Sequence, residues 1–227
     1  MNKRILLLLL PLLLVISGYA QKGPSTWVEL EFSKKIIKNL KFEFNPELRM
    51  FGEFKMDSYI LESGLSYKLN KYLTLAGYYR YEDAWDYKKK TGAYKGQVSL
   101  NRLAFDAKSG FELNRFAFQF RMRYTKGIDL NNNASEFRYR AKIDYDIKGS
   151  KFIPFVSVEL FHDKSILEYE RNMISGGFKD IDKLRYTGGL AYTLNKNNGI
   201  DLFFRLQDNR IKNVTMNIIG LGYSHDF

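Results

Sequence analysis

Apolar and polar residues alternate with a period of two along most of this chain of 227 residues, and this alternation limits what the chain can fold into. In FAFQFRMRY (116–124) every second residue is aromatic or methionine, and the residues between them include Gln119, Arg121 and Arg123. Strict alternation places the two sets on opposite faces of a β-strand. Beyond residue 20 no segment shows the sustained i, i+3, i+4, i+7 apolar spacing of an amphipathic helix. The sequence therefore predicts an all-β fold.

Eleven segments carry this pattern beyond the N-terminal region. These candidate strands are 26–37, 40–51, 59–69, 72–82, 94–108, 115–126, 136–147, 152–162, 183–194, 199–208 and 214–227. They are longer than the roughly 5–6 residues common in soluble strands and long enough to cross a bilayer at a tilt. One face of each is aliphatic and aromatic, whereas the other carries Arg, Lys, Asp and Glu in mid-strand. This division is typical of a transmembrane β-barrel rather than a soluble β-sandwich.

Aromatic residues cluster near the strand ends, as two interfacial girdles would require. Short connections, such as 69–71 and 195–198, alternate with longer ones at 83–93, 127–135 and 163–182. Aromatic residues near the short connections are Tyr67, Tyr72, Tyr145, Tyr192 and Phe227, and those near the longer ones are Tyr59, Tyr81, Tyr124 and Tyr186. Bacterial outer-membrane barrels combine short periplasmic turns with longer outer loops. We therefore expect an integral protein of a Gram-negative outer membrane, in contact with its lipid and lipopolysaccharide.

The N-terminal segment 1–20 has the order of a secretory signal peptide. The charged MNKR precedes the apolar run ILLLLLPLLLVI, and small residues follow in SGYA. We expect residues 1–20 to be cleaved and residues 21–227 to form one barrel domain. The formal net charge of +11 is spread along the chain rather than gathered in one arm, so we expect no nucleic-acid partner. The chain has no cysteine, which excludes disulfides.

The number of strands conflicts with the usual rule for such barrels. Eleven strands would close with a parallel pair, whereas bacterial single-chain barrels have even strand numbers. We therefore predict a single antiparallel transmembrane β-barrel of about ten strands, with segment 26–37 partly in the lumen or at the rim. Twelve strands is the alternative.

The last predicted strand extends to the final residue of the sequence, in IIGLGYSHDF. A barrel explains this pattern, because its last strand must pair with an early one. The architecture resembles outer-membrane β-barrels, whose C-terminal strand typically ends in Phe, a feature associated with recognition by the barrel assembly machinery. The resemblance implies that Phe227 acts as an assembly signal and that this machinery is a partner.

The inward polar face is the candidate functional site, because long side chains of both signs would meet in a narrow lumen. The predicted lumen charge cluster comprises Arg49, Arg80, Arg102, Arg121, Arg123, Arg138, Arg140, Arg185, Glu47, Glu82, Asp106, Asp144 and Glu159. One interpretation is a structural salt-bridge core that closes the lumen, with arginine forks on carboxylates. The other is a selective passage or site for a small anionic solute. We favour the structural interpretation, and the sequence leaves both open.

Catalysis has little support in the sequence. The chain has two histidines, and a general base must lie within hydrogen-bond reach of its nucleophile. Alternation puts Ser224 and His225 on opposite faces, and HDKS (162–165) offers Ser165 beside His162 without a recognisable motif. We predict that the chain is not an enzyme and needs no cofactor or metal. An outer-membrane lipid-modifying enzyme and a periplasmic lipocalin-like binding barrel are the alternatives to a structural or narrow porin-like barrel.

Two connections carry distinctive residues. DAWDYKKKTGAYKG (83–96) combines aromatic rings with lysines that could contact lipopolysaccharide sugars and phosphates, although a solvated loop is the simpler interpretation. DKSILEYERNMISGGFKDID (163–182) is more apolar than a free loop requires and could fold over the mouth of the barrel.

Several motifs, in order, resemble the outer-membrane barrel family catalogued as domain of unknown function 2490. They include STWVELEF, FNPELRM, LAGYYRYE, FRMRYTKG, FIPFVSVELF and LRYTGGLAYTLNKNNGIDLFFRLQ. The matching positions are Trp27, Glu47, Arg49, Tyr78, Arg80, Arg102, Arg121, Arg123, Tyr124, Pro154, Glu159, Arg185, Gly189 and Tyr192. This resemblance implies an outer-membrane barrel fold and location, and it implies no activity.

Overall fold

A computed structural model describes residues 24–52, 54–87, 94–129, 134–164 and 181–227. The predicted signal peptide, residues 1–20, lies outside the described residues. The strands are β1 (Ser25–Ile37), β2 (Leu40–Phe51), β3 (Lys55–Lys68), β4 (Leu73–Tyr87), β5 (Tyr94–Leu113), β6 (Phe116–Gly127), β7 (Ser135–Tyr145), β8 (Phe152–Asp163), β9 (Lys183–Asn195), β10 (Asn198–Asn209) and β11 (Val214–Asp226). All eleven candidate segments are therefore strands.

The eleven strands form one closed barrel in the order β1-β11-β10-β9-β8-β7-β6-β5-β4-β3-β2. Neighbours are antiparallel except at one seam, where β1 and β11 are parallel with Ser25 opposite Ile218 and Ser33 opposite Asp226. The predictions of ten or twelve strands and of a wholly antiparallel sheet were therefore wrong. The placement of segment 26–37 in the lumen or at the rim was also wrong, because β1 pairs with β2 and β11 along its length.

The parallel seam has a physical reason. An odd number of strands that alternate in direction must close with one parallel pair, and closure leaves no row of unpaired backbone groups at a sheet edge. The outward residues of β1 include Val28, Leu30 and Phe32, which suit the same apolar surroundings as the outward residues of the other strands. β1 is therefore a full wall strand, and the usual even number is not a requirement of closure.

The two ends of the barrel differ in their connections. We call the end with connections 38–39, 69–72, 114–115, 146–151 and 196–197 the turn end, and the opposite end the loop end. Because β1 is parallel to β11, Pro24 lies at the loop end, where its carbonyl oxygen accepts a hydrogen bond from Gly52 N at 3.1 Å. Phe227 lies at the turn end, and its N–H donates to the carbonyl oxygen of Ser33 at 2.8 Å. The two described ends of the chain are thus on opposite sides of the barrel.

The outer face is apolar over most of its height, as the alternation predicted. Phe105, Phe120, Val156, Leu202 and Ile219 are all between 46% and 60% exposed, although each is a wall residue in mid-strand. The protein itself does not cover these outward apolar side chains, which indicates that an apolar environment surrounds the barrel. No helix in the described part of the chain is long and apolar enough to cross a membrane.

The outer face near the loop end is more polar. The Tyr59 hydroxyl donates to Asp83 at 2.6 Å, and both residues are on the outer face. The backbone N–H and side-chain amide of Asn101 donate to Asp129 at 2.6 and 2.7 Å, and the backbone bond is the main cause that lowers the pKa of Asp129. Strand β4 extends beyond its predicted limit through this region to Tyr87, where it pairs with the start of β5 at Tyr94. Hydrogen bonding between outward polar groups therefore lengthens this hairpin.

Aromatic residues and glycines alternate along one row of the inner wall. Phe155 of β8 is opposite Gly189, Phe203 of β10 is opposite Gly189 and Gly220, and Trp27 of β1 is opposite Gly220. A Cβ on Gly220 would lie 2.0 Å from the Phe203 ring, and one on Gly189 would lie 2.5 Å from the Phe155 ring. The missing side chains make room for rings to lie flat against the wall. This row seals the wall beside the parallel seam.

Candidate functional site in the barrel lumen

The strands direct the predicted lumen charge cluster inward, where carboxylates and guanidiniums form a network. Arg123 of β6 is its most heavily bonded member and is 5% exposed. Its Nε lies 2.6 Å from Asp106, and its terminal nitrogens lie 2.7 and 3.1 Å from the two oxygens of Glu62. One guanidinium therefore joins β5 to β3 through two buried carboxylates. Charge-assisted bonds of this kind are among the stronger polar contacts in proteins.

A second node is Glu159 of β8, which is 4% exposed. Arg121 donates to one of its oxygens at 2.6 Å and Arg185 donates to the other at 3.0 Å. The carboxylate thus links β6, β8 and β9. Arg138 of β7 is bonded instead to Glu136 on its own strand.

A third node surrounds Glu82 of β4. Arg102 lies 3.3 Å from this carboxylate, and Arg49 and Arg80 each lie 3.9 Å from it. Arg49 also donates to Glu47 at 2.7 Å. These contacts join β2, β4 and β5. Asp144 is separate from the three nodes, because its described partners are Lys142 at 2.8 Å and Gln119 at 2.7 Å near the turn end.

Aromatic rings fill the space between these ions. The guanidinium carbons of Arg49, Arg205 and Arg185 lie 4.1, 5.0 and 5.2 Å from the centre of the Trp27 ring. Phe161 is 1% exposed, and the Arg185 guanidinium lies 4.7 Å from its ring. Cations over aromatic faces gain further stabilisation where water is excluded. Rings and ions together therefore narrow the lumen toward the loop end.

We call seven of the buried inward side chains of this region the plug. Its members lie in the half of the lumen nearer the loop end and are each less than 10% exposed. The plug comprises Trp27, Glu62, Arg80, Asp106, Arg123, Glu159 and Phe161.

The half of the lumen nearer the turn end is open, and its cavity of 360 Å³ reaches the plug, where Trp27, Glu62, Arg80, Arg123 and Glu159 line it. Three adjoining cavities of 360, 310 and 290 Å³ share the side chains of Gln119 and Arg140. A fourth of 460 Å³ shares Lys108 and Glu31 with the first and reaches the turn residues 195–198. We call this connected space the vestibule. Its inward residues include Glu31, Lys108, Gln119, Arg140, Lys142 and Asp201.

The hairpin of β6 and β7 brings four predicted arginines together. Arg121 is opposite Arg140 and Arg123 is opposite Arg138. Like charges directly opposite are destabilising unless other groups compensate them. Three of the four bond to a carboxylate, whereas Arg140, which is opposite Glu159 in the β7–β8 pair, forms no ion pair or hydrogen bond within the described residues. The predicted cluster is therefore two environments, one neutralised and one not.

Sequence reasoning missed part of the plug. Trp27 and Phe161 were not among the predicted site residues, although both occupy inward positions. Glu62 faces inward as the alternation along its strand predicts, with the same parity as Ser58. Alternation along β1 and β8 also places Trp27 and Phe161 inward. They were missed because the sequence analysis assigned aromatic residues to the outer face and charged residues to the lumen.

The histidines and serines that the sequence analysis weighed for catalysis are not brought together. His225 is on the outer face, where its Nδ1 lies 2.6 Å from Asn198 Oδ1, whereas Ser224 faces the vestibule. His162 is also on the outer face of β8, opposite Phe137, and Ser165 lies outside the described residues. Trp85 is on the outer face of β4, with its ring 5.7 Å from that of Tyr59, and residues 88–93 and 165–180 of the two distinctive connections lie outside the described residues.

Comparisons with known proteins give a family and a fold. The profile of the family described as "Protein of unknown function (DUF2490)" matches residues 25–217. A solved structure, the NanC porin in a rhombohedral crystal form, is similar over 87% of this chain and 91% of that chain, with a TM-score of 0.53 and 12% sequence identity. At this identity the similarity shows the barrel fold. No curated protein sequence matches the chain.

Proposed function

The chain belongs to the DUF2490 family of unknown function, and from this premise we propose that it is an outer-membrane β-barrel with a narrow, porin-like lumen that its own plug keeps closed. In this proposal residues 1–20 are a cleaved signal peptide and residues 21–227 form the barrel. The turn end faces the periplasm and the loop end faces outward, as in other bacterial barrels.

A membrane location is supported by the outer face. Apolar side chains such as Phe105, Val156 and Leu202 project outward at half exposure, and the strands satisfy their backbone groups by closure. A periplasmic lipocalin-like barrel would expose these side chains to water. The porin named in the structural comparison has the same type of fold, which agrees with a porin-like barrel here.

The plug is the observation that carries the closed state. Ions and rings less than 10% exposed crowd the loop half of the lumen, and Arg123 alone makes four hydrogen bonds to the carboxylates of Glu62 and Asp106. An enzymatic role lacks such support, because the described histidines face outward.

Planar-bilayer conductance of the refolded protein tests this function. We expect near-zero conductance from the wild-type protein and measurable conductance from Trp27→Ala, which removes the ring beneath Arg49, Arg185 and Arg205. The matched control is Phe155→Ala, which removes an inward ring of the same row from the vestibule side and should leave the lumen closed. A large, stable wild-type conductance would contradict the closed state, and recovery in the soluble periplasmic fraction would contradict the membrane location.

A further inference from the structure

The vestibule has walls of opposite charge. In the closed order of strands, β7 and β1 are five strands apart in one direction and six in the other, so they face each other across the lumen. β7 contributes Arg140 and Lys142, and β1 contributes Glu29 and Glu31. β10 adds Asp201 on the acidic side, three strands from β7. All five side chains line the same cavity of 290 Å³.

Part of this charge is already neutralised within the protein. Lys142 lies 2.8 Å from Asp144, and Glu29 lies 2.6 Å from Arg205. The remaining groups are Arg140 on one wall and Glu31 and Asp201 on the other. None of these three forms an ion pair or hydrogen bond with another side chain of the described ranges.

Arg140 occupies the centre of the open space. Its side chain lines the cavities of 360, 310 and 290 Å³, as does that of Gln119. The 310 Å³ cavity is also lined by Lys68, Lys71 and Lys108, and no carboxylate is among its described lining residues. A guanidinium with a free planar fork suits a carboxylate or a phosphate, which it can hold with two parallel hydrogen bonds.

The acidic wall limits which ligand fits. A purely anionic ligand on Arg140 would leave Glu31 and Asp201 uncompensated in the same cavity. A purely cationic one would leave Arg140 uncompensated beside Lys142. A ligand with both charges compensates both walls, and a cavity near 300 Å³ is at the small end of small-molecule sites.

We infer that the vestibule binds a small zwitterion that enters from the turn end. Its carboxylate or phosphate is held by Arg140 with Gln119 beside it, and its ammonium group lies toward Asp201 and Glu31. This inference rests on the proposed function, because a closed plug makes the vestibule a binding pocket rather than part of an open channel. The same headgroup chemistry occurs in free solutes and in ethanolamine phospholipids.

Calorimetric titration of the refolded full chain in detergent tests the site. The probe is phosphoethanolamine, and the comparison ligands are methyl phosphate, which lacks the ammonium group, and ethanolamine, which lacks the phosphate. We expect the zwitterion to bind at least about tenfold more tightly than either analogue, because each analogue loses one charged contact. Equal affinity for methyl phosphate would overturn the inference in favour of a simple anion site. The inference would also be overturned if neither phosphoethanolamine nor its carboxylate counterpart, β-alanine, binds.

Two variants assign the contacts. Arg140→Gln and Asp201→Asn should each weaken phosphoethanolamine binding by about tenfold or more, while Arg140→Gln should leave ethanolamine binding unchanged. Lys148→Gln, which makes the same change of charge in the turn after β7, is the control and should bind normally. Unchanged binding by both vestibule variants would overturn the assignment. Heat-modifiable mobility in detergent gels verifies that each variant is folded.

Two further measurements, lipid competition and conductance, distinguish the source of the ligand and the two proposals. Short-chain phosphatidylethanolamine that competes with the free probe indicates a lipid headgroup as the source, whereas failure to compete indicates a free solute, and either result supports a zwitterion site. Conductance distinguishes the two proposals. A closed barrel that binds no zwitterion refutes this inference alone, whereas an open wild-type barrel refutes the proposed function.

Discussion

The two halves of the lumen are built from the same strands and the same inward positions, yet bonded ions and rings crowd one half and the other is open. On β6, Arg123 is 5% exposed in the plug, whereas Gln119, two inward positions nearer the turn end, is exposed. The difference lies in the partners. Arg123 meets Glu62 and Asp106, while Arg140 meets no carboxylate within hydrogen-bond distance in the described part of the chain. Neutralised charges pack together, and unpaired charges retain space around them.

The comparison also shows that charge alone does not close a barrel. The plug contains Trp27 and Phe161, whose rings occupy volume that side chains with solvated ends would leave open. In the vestibule, Phe155 lies flat against Gly189 on the wall and does not reach across. In the proposed closed barrel, the lumen is therefore blocked by rings held by guanidiniums as well as by ion pairs.

Removal of Arg123 should have the largest effect. Arg123→Ala leaves Glu62 and Asp106 buried without their shared partner, and loss of one member of a buried ion pair costs about 3–5 kcal/mol. The free energy of unfolding in detergent, measured by urea titration, should fall by this amount. Arg140→Ala is the matched control from the vestibule. Equal losses for the two variants would show that the two halves do not differ in their partners.

Arginine at Phe120 tests the membrane depth of the vestibule. Phe120 faces outward at that level, and an arginine on the lipid face near the midplane costs about 2–4 kcal/mol. Gln119→Arg places the same side chain on the neighbouring inward position and should cost much less. Refolding into lipid vesicles at increasing urea concentration measures both. Similar costs at the two positions would contradict the assignment of faces.

Arg121 and Arg140 are directly opposite each other, so they allow the bonded and the unbonded arginine to be compared at one level of the lumen. Arg121→Ala removes a bond to buried Glu159, which keeps Arg185, so we expect a loss of about 1.5–3 kcal/mol. Arg140→Ala removes a like charge without a partner among the described residues and should change stability by less than about 0.5 kcal/mol. Conductance of the double variant should remain near zero, since the remaining plug is intact. A stable double variant with altered anion selectivity would instead support an anion passage.

A tag placed before Pro24 should have the smallest energetic effect and identifies which half faces outward. Because Pro24 is at the loop end, the tag should bind antibody on intact cells, whereas a tag after Phe227 should require permeabilised cells. The second tag would also test the predicted assembly role of Phe227, since a charged tail should reduce insertion. Exposure of both tags on the same side would contradict the parallel seam.

The sequence determined the parts of this structure that depend on local periodicity. Alternation identified the eleven strands, assigned Phe120 to the outer face, and placed Arg121 and Arg140 on the same inner face. These features could be predicted because side-chain direction in a strand repeats every two residues.

Only the tertiary structure decided closure and pairing across the lumen. The parallel seam between β1 and β11 joins residues about 190 positions apart, such as Ser25 and Ile218, and no local pattern specifies it. The same holds for the bond from Arg123 to Glu62, three strands away, and for the lack of a partner at Arg140 among the described residues. Which charges meet inside a barrel depends on how closure sets the strands around the axis, because side chains on non-adjacent strands meet only across the lumen.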